Sequence, residues 1–120
     1  MISLNENGTV LLAGLQPEMD VAMYVVDSVL SGCGIPTVIT AGTEEFYPDG
    51  TLIHSVGSYH PRGYALDFRD RQIPREDYNA VLNDIKLALR KINKAYDVVR
   101  EGNHIHVEFD LKKEWKNAAD

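Results

Sequence analysis

Residues 58–67 read SYHPRGYALD, a segment that places a histidine, small residues and a carboxylate at fixed intervals. Its second half alternates between two kinds of side chain, as a strand requires. One face carries Gly63, Ala65 and Asp67, and the other carries Tyr64, Leu66 and Phe68. This alternation predicts a strand whose apolar face lies on a core and whose opposite face presents a carboxylate.

A second strand of the same kind is predicted where residues 104–109 read HIHVEF. Its core-facing positions are Ile105, Val107 and Phe109, and its opposite face carries His104, His106 and Glu108. The preceding segment YDVVREGN, residues 96–103, predicts a partner strand followed by a turn at Gly102. Two further strands are predicted at residues 10–13 and at the β-branched run TVIT, residues 37–40.

Two amphipathic segments predict helices. Residues 15–32 have Pro17 in the first turn and Gly32 at the exit, with apolar side chains three and four residues apart. Residues 73–93 begin with acidic and end with basic side chains, which complements a helix dipole. The pattern predicts an α+β fold, in which a small antiparallel sheet carries the polar face and two main helices pack on the other face. Residues 41–59 lack a period and predict a functional or mobile loop.

The length of 120 residues predicts a single domain, with a core at about residues 10–110 and a solvated tail at 111–120. The formal net charge of −6 argues against nucleic-acid and membrane partners, and we expect a monomer. Cys33 is the only cysteine, which excludes an internal disulfide and predicts a buried free thiol. The first residues lack a basic and apolar leader, so we expect no signal peptide and a cytoplasmic protein as synthesised.

The polar faces of the two strands predict a metal site. His60, Asp67 and one histidine of the 104/106 pair would converge if both strands belong to one sheet. Two imidazoles and one carboxylate suit Zn²⁺ and leave a coordination position for water. Residues two apart on a strand share a face and lie about 6.6 Å apart, so geometry alone does not choose between the two histidines. Gly63 and Ala65 are expected to keep bulk away from the ion.

The same segments resemble a known family. SYHPRGYALD fits the pattern S-x-H-x-x-G-x-A-x-D of the zinc D-alanyl-D-alanine peptidases and the related hedgehog signalling domain, with five fixed positions in ten residues. EGNHIH, residues 101–106, is similar to the second half of that family's site. The resemblance covers about residues 15–110 and implies a hedgehog-type or DD-peptidase-like fold.

The resemblance also implies roles for individual residues. The zinc ligands that it implies are His60, Asp67 and His106. Glu101 would then be the general base, and His104 would stabilise the transition state. Glu108 remains the alternative base, because it shares the ligand face of its strand.

Members of the resembled family that bind a terminal carboxylate commonly offer an arginine from the loop before the metal motif. Residues 41–59 contain no arginine here. Arg62 and Arg69 are the available substitutes for carboxylate recognition. Ser58 completes the expected substrate-binding set, with capping of its turn as the alternative. If neither arginine faces the cleft, an endopeptidase is favoured over a carboxypeptidase.

Two functions are compatible with these residues. The first is a zinc peptidase that cleaves the peptidoglycan stem peptide, as a D-Ala-D-Ala carboxypeptidase or an L-Ala-D-Glu-type endopeptidase. The short chain resembles phage-type cell-wall lytic enzymes, which are released at host lysis or carried in the phage particle. The alternative is a non-catalytic, hedgehog-type zinc-binding module with a structural or partner-binding role. Retention of an acid at Glu101 favours the enzyme.

Other polar residues receive no role at this point. His54 lies in the irregular loop and is expected to be an ordinary surface or satisfied core residue. Glu44 and Glu45 are expected to form a solvated acidic pair. Glu108 is expected to face solvent from its strand, unless it serves as the base.

Overall fold

The computed structural model describes residues 2–5, 10–46, 49–54 and 57–114. Five strands form one mixed sheet in the order β1-β2-β3-β5-β4. The strands are β1 (Ile2–Leu4), β2 (Thr37–Ala41), β3 (Ala65–Arg69), β4 (Tyr96–Glu101) and β5 (His104–Phe109). The main helices are α1 (Pro17–Gly32) and α2 (Tyr78–Ile92), and a short 3-10 helix (Arg75–Asp77) precedes α2. The predicted α+β class with two main helices is confirmed.

The sheet has β3 at its centre. β3 pairs antiparallel with both β2 and β5, and β4 completes an antiparallel hairpin with β5. β1 pairs parallel with β2 at the edge, so the sheet is mixed and not wholly antiparallel as predicted. The β3–β5 register sets Asp67 opposite His106 and Arg69 opposite His104. This register determines the geometry of the polar face.

The core lies between the helices and the apolar face of the sheet. Each helix contributes one buried stripe, as its periodicity predicts. The stripes are Met19, Ala22, Val26 and Leu30 in α1 and Tyr78, Val81, Ile85 and Leu89 in α2. The sheet contributes Ile39, Leu66, Phe68, Ile105, Val107 and Phe109. Burial of each large aliphatic side chain contributes roughly 1.5–3 kcal/mol, which anchors β3 and β5 and leaves their other faces available.

The strand predicted at residues 10–13 is wrong. This segment is irregular, although Val10 is buried in the core. Leu11 donates its backbone N–H to a carboxylate oxygen of Glu44 (3.0 Å) and accepts from the N–H of Thr43 (2.7 Å). Because these loop contacts satisfy its backbone, the segment does not join the sheet.

Two further expectations are corrected. Cys33 is exposed at the C-terminal end of α1, where the helix leaves the core, so the thiol is not buried. Residues 111–114 form a helical turn and not a solvated tail. Leu111 packs against the core, and the ammonium of Lys113 contacts Asp97 Oδ1 at 2.5 Å. Residues 115–120 of the expected tail lie outside the described residues.

Across the described ranges, no helix has the length and apolar character that crossing a bilayer demands.

Candidate metal centre

The turn before β3 positions the first histidine of the site. Ser58 Oγ accepts the backbone N–H of His60 at 3.2 Å, and the N–H of Gly63 donates to the His60 carbonyl at 3.0 Å. Gly63 has a φ of 83°, and an added Cβ would clash with the carbonyl oxygen of Gly14. Gly63 is therefore required by the turn and by the approach of the 14–16 segment, which corrects its expected role beside an ion.

His60, Asp67 and His106 converge on the polar face of the sheet. Asp67 Oδ1 lies 3.2 Å from His60 Nε2 and 2.8 Å from His106 Nδ1. One ligand atom from each residue lies within 4.8 Å of the others, so the three residues could hold a metal ion. Of the two strand histidines, His106 lies in this group and His104 lies at its margin.

Neighbouring groups fix the orientation of both imidazoles. His60 Nδ1 lies 2.9 Å from the carbonyl oxygen of Gly42. Because a carbonyl oxygen can only accept a hydrogen bond, Nδ1 carries the hydrogen, and the lone pair of Nε2 is available to a metal ion. His106 Nε2 lies 2.7 Å from Glu108 Oε1, and its Nδ1 points to Asp67. Such contacts hold metal-binding histidines in one tautomer and one ring orientation.

Ionisation within the group follows from these contacts. Burial disfavours the charge on Asp67, but hydrogen bonds from His106 and His60 outweigh it and hold the pKa of the carboxyl below its ordinary value. Burial likewise lowers the pKa of His106, yet its bonds to Asp67 and Glu108 prevail and raise that pKa to about 10. Without a metal, His106 therefore keeps its second proton at neutral pH, and an incoming cation must displace that proton.

Glu101 and His104 border the group at the β4–β5 turn. His104 Nε2 lies 3.5 Å from Asp67 Oδ2 and 3.5 Å from Glu101 Oε2. The Glu101 side chain is 51% exposed. Both residues line a cavity of about 550 Å³ that also contains His60, Asp67 and His106. The structure thus places both predicted catalytic side chains beside the metal-binding group.

Glu108 faces this cavity and is not the solvent-facing strand acid that was expected. Its carboxylate is held by His106, and its side chain is 26% exposed. Glu101 has no hydrogen bond of comparable length within the described part of the chain. Glu101 is therefore freer than Glu108 to exchange a proton with a bound molecule.

The loop before the turn supplies a contact that the sequence did not reveal. Glu44 is only 3% exposed, so the expected solvated pair is wrong for this residue, whereas Glu45 is exposed. The Glu44 carboxylate accepts both backbone N–H groups of Leu11 and Gly42, at 2.8–3.0 Å. An added Cβ on Gly42 would clash with the Leu11 carbonyl, so glycine is required at this crossing.

His54 links that carboxylate to the metal-binding group. Its Nε2 lies 2.8 Å from Glu44 Oε2, and its ring stacks on His60 with centroids 4.0 Å apart and planes 5° apart. Glu44, His54 and His60 also have ligand atoms within 4.8 Å of one another, but Glu44 is already engaged by backbone N–H donors. No sequence pattern identifies these residues. Their positions depend on close backbone approaches around Gly42, which only the structure reveals.

The three predicted substrate-binding residues lie in different places in the structure. Ser58 lines the cavity while its Oγ caps the turn. Arg62 lines an adjoining groove, with its guanidinium 5.3 Å from the centre of the Tyr59 ring. Arg69 does not line the cavity and donates to Asn5 Oδ1 at 2.8 Å. The structure therefore brings Ser58 to the metal-binding group, places Arg62 next to it and leaves Arg69 outside.

Comparison with known proteins adds no assignment: no protein-family model matches the chain, and a search of curated proteins gives no match.

Proposed function

We propose that the protein is a zinc-dependent peptidase that hydrolyses a peptide bond of the peptidoglycan stem peptide. The observation that supports it is the convergence of two imidazole nitrogens and one carboxylate oxygen on a cavity that also contains the exposed carboxylate of Glu101. The motif resemblance supplies the reaction class and the substrate.

The donor set fits zinc. His60, Asp67 and His106 would hold the ion through nitrogen and carboxylate oxygen, the donor atoms that zinc accepts at bond lengths of about 2.0–2.2 Å. Asp67 Oδ1 lies 3.2 Å from His60 Nε2 and 2.8 Å from His106 Nδ1. When bound, zinc supplies a Lewis acid that activates water and polarises a carbonyl group. Three protein ligands are the number found in catalytic zinc sites.

Glu101 performs the proton transfers in this proposal. Its carboxylate accepts a proton from the attacking water, as the oxygen of that water bonds to the peptide carbonyl carbon. It then donates the proton to the amine nitrogen when the C–N bond breaks. The exposed and weakly engaged carboxylate of Glu101 suits this exchange, whereas Glu108 is occupied with orienting His106.

His104 stabilises the developing negative charge. Its Nε2 is 3.5 Å from each neighbouring carboxylate, a distance at which neither holds it in a short hydrogen bond. His104 Nδ1 lies 3.2 Å from Asn103 Oδ1, and a hydrogen on Nε2 would be able to turn to the carbonyl oxygen as it acquires charge.

The substrate proposal covers a D-Ala-D-Ala carboxypeptidase and an L-Ala-D-Glu-type endopeptidase, acting as a phage-type cell-wall lytic enzyme. The test is digestion of purified peptidoglycan by zinc-loaded protein, with mass spectrometry of the released fragments. We expect every released fragment to result from cleavage of the same peptide bond. The identity of that bond distinguishes the carboxypeptidase from the endopeptidase.

Two variants and one control separate the roles. His106→Ala should lose stoichiometric zinc, and Glu101→Gln should keep zinc while turnover falls about 10²–10⁴-fold. Glu76→Gln removes an exposed acid outside the cavity and should behave as wild type. A wild-type protein that holds one zinc ion but releases no fragment would contradict the peptidase and support the non-catalytic, hedgehog-type module.

A further inference from the structure

A second cavity, of about 430 Å³, lies where the end of β3, the 3-10 helix, the start of α2 and the end of β4 meet. It is called the arginine cavity here, because Arg71, Arg75 and Arg100 line it. These are half of the six arginines in a chain whose formal net charge is −6. No described residue lines both the arginine cavity and the cavity of the metal-binding group. The arginine cavity is therefore a separate, locally positive region of an acidic protein.

The three guanidinium groups of this cavity lack internal counter-ions. Within residues 2–5, 10–46, 49–54 and 57–114, none of them has a carboxylate at ion-pair distance. Arg69, two residues before Arg71, differs in that it donates to Asn5 Oδ1 at 2.8 Å. Like charges around one cavity repel each other, and an anion that binds between them relieves this repulsion. No internal ion pair has to break when such an anion enters.

One carboxylate, from Asp70, belongs to the wall of the arginine cavity, and it is already engaged. The hydroxyl of Tyr78 donates to Asp70 Oδ2 at 2.6 Å, and Asp70 is buried. Burial and the neighbouring Asp70 raise the pKa of Tyr78, so this hydroxyl keeps its proton and remains a donor. A single carboxylate compensates at most one of the three arginine charges, so the wall keeps an excess of positive charge.

Packing orients Arg100, the arginine that β4 contributes. Its guanidinium lies 4.4 Å from the centre of the Tyr78 ring, at a distance where the ring face attracts a cation. Successive side chains of a strand point to opposite faces. Glu101 therefore reaches the metal-binding cavity, whereas Arg100 reaches the side of the sheet that carries α2. An arginine held in this way loses less conformational freedom when it binds a ligand.

We infer that the arginine cavity is a binding site for a phosphate group. A guanidinium presents a planar fork of N–H donors that matches the oxygens of a phosphate. A phosphate monoester also carries close to two negative charges at neutral pH, which suits the charge excess of this wall better than the single charge of a carboxylate. The site needs no metal ion and is independent of the proposed peptidase. Its ligand is either a terminal phosphate of a small molecule or a phosphodiester of a polymer or lipid.

The test is an NMR titration of the 120-residue chain without added metal, which follows the Nε–H signals of the arginine side chains. The probes are methyl phosphate, dimethyl phosphate and acetate at equal ionic strength. We expect methyl phosphate or dimethyl phosphate to shift the signals of Arg71, Arg75 and Arg100 saturably and to bind more tightly than acetate. Tighter binding of methyl phosphate assigns the site to a terminal phosphate, and equal or tighter binding of dimethyl phosphate assigns it to a phosphodiester.

Arg71→Gln and Arg100→Gln should each weaken binding of the preferred phosphate about fivefold, the loss expected for one partly exposed ion pair. Arg90→Gln is the matched control, because it removes the same charge from an exposed position in the last turn of α2 outside the cavity. Arg71 is exposed, so Arg71→Gln keeps the test valid if Arg100→Gln unfolds. The absence of saturable shifts, acetate binding as tightly as both phosphates, or an equal loss in Arg90→Gln would overturn the site.

Discussion

The candidate metal centre is built from two regions of different character. The β3–β5 pair contributes Asp67 and His106 from regular strands whose other faces are buried in the core. The 41–59 loop contributes no member of the His60–Asp67–His106 group, yet its Gly42 carbonyl holds His60, and its His54 stacks on the same ring. The strands provide two of the three candidate ligand atoms, the turn before β3 provides the third, and the loop orients the His60 ring.

This difference explains which parts of the centre tolerate change. A strand ligand is fixed by backbone pairing over its whole length, so its replacement removes a donor atom without moving its neighbours. A loop residue acts through a chain of contacts, in which Glu44 holds Gly42 and Gly42 holds His60. Loss of such a contact should weaken metal binding in part, because the ligand atoms themselves remain.

The largest effect is expected from the strand region. Asp67→Asn removes the negative charge shared by both imidazoles and should lower zinc affinity by more than about 100-fold, beyond the range for indirect contacts. Competition with a chromophoric chelator measures the affinity. Asp84→Asn, an exposed acid on α2, should bind zinc as wild type does. Equal affinity in the two variants would remove Asp67 from the ligand set.

A smaller loss is expected from the loop region. Glu44→Gln replaces one acceptor oxygen with a donor group facing backbone N–H donors, so zinc affinity should fall about tenfold. The free energy of unfolding should fall by about 1–3 kcal/mol. The same chelator competition and a urea titration measure both quantities.

Glu45→Gln is the matched control for that loop change, because Glu45 is adjacent and exposed. It should leave affinity and stability unaltered. A Glu44→Gln protein with the zinc affinity of Glu45→Gln would show that the loop does not orient His60.

The smallest expected change is the loss of a single proton from the strand region. Because its contacts with Asp67 and Glu108 raise the pKa of His106 to about 10, the metal-free ring should carry both protons at pH 8. An ordinary histidine is almost wholly neutral there. Nitrogen-15 shifts of the ring should show a doubly protonated imidazole that becomes singly protonated on zinc addition. A neutral ring in metal-free protein would contradict the contacts described.

The same contrast separates what the sequence predicts from what it does not. The helices and strands β2 to β5 follow from local period and turn residues, and alternation in β3 and β5 places Asp67 with His106. β1 spans three residues, Ile2–Leu4, which is too short to display a period. Residues 10–13 have a strand-like composition, but the Glu44 carboxylate and Thr43 take their backbone partners.

Within the site, the convergence of His60, Asp67 and His106 was predictable from the sequence, and the contacts that support these residues were not. Histidine and aspartate types at fixed spacing identify the donors, and the resemblance chooses His106. The burial of Glu44 depends on N–H groups of Leu11 and Gly42, and Leu11 is far away in sequence. Such long-range contacts have no local signature.

The central claim is best tested by a crystal structure of the zinc-loaded protein, with anomalous scattering at the zinc edge to locate the ion. We predict one zinc ion bound by His60 Nε2, Asp67 Oδ1 and His106 Nδ1, with its remaining position open to the cavity that Glu101 and His104 border. A protein without stoichiometric zinc, or an ion held by other residues such as Glu44 and His54, would contradict this account.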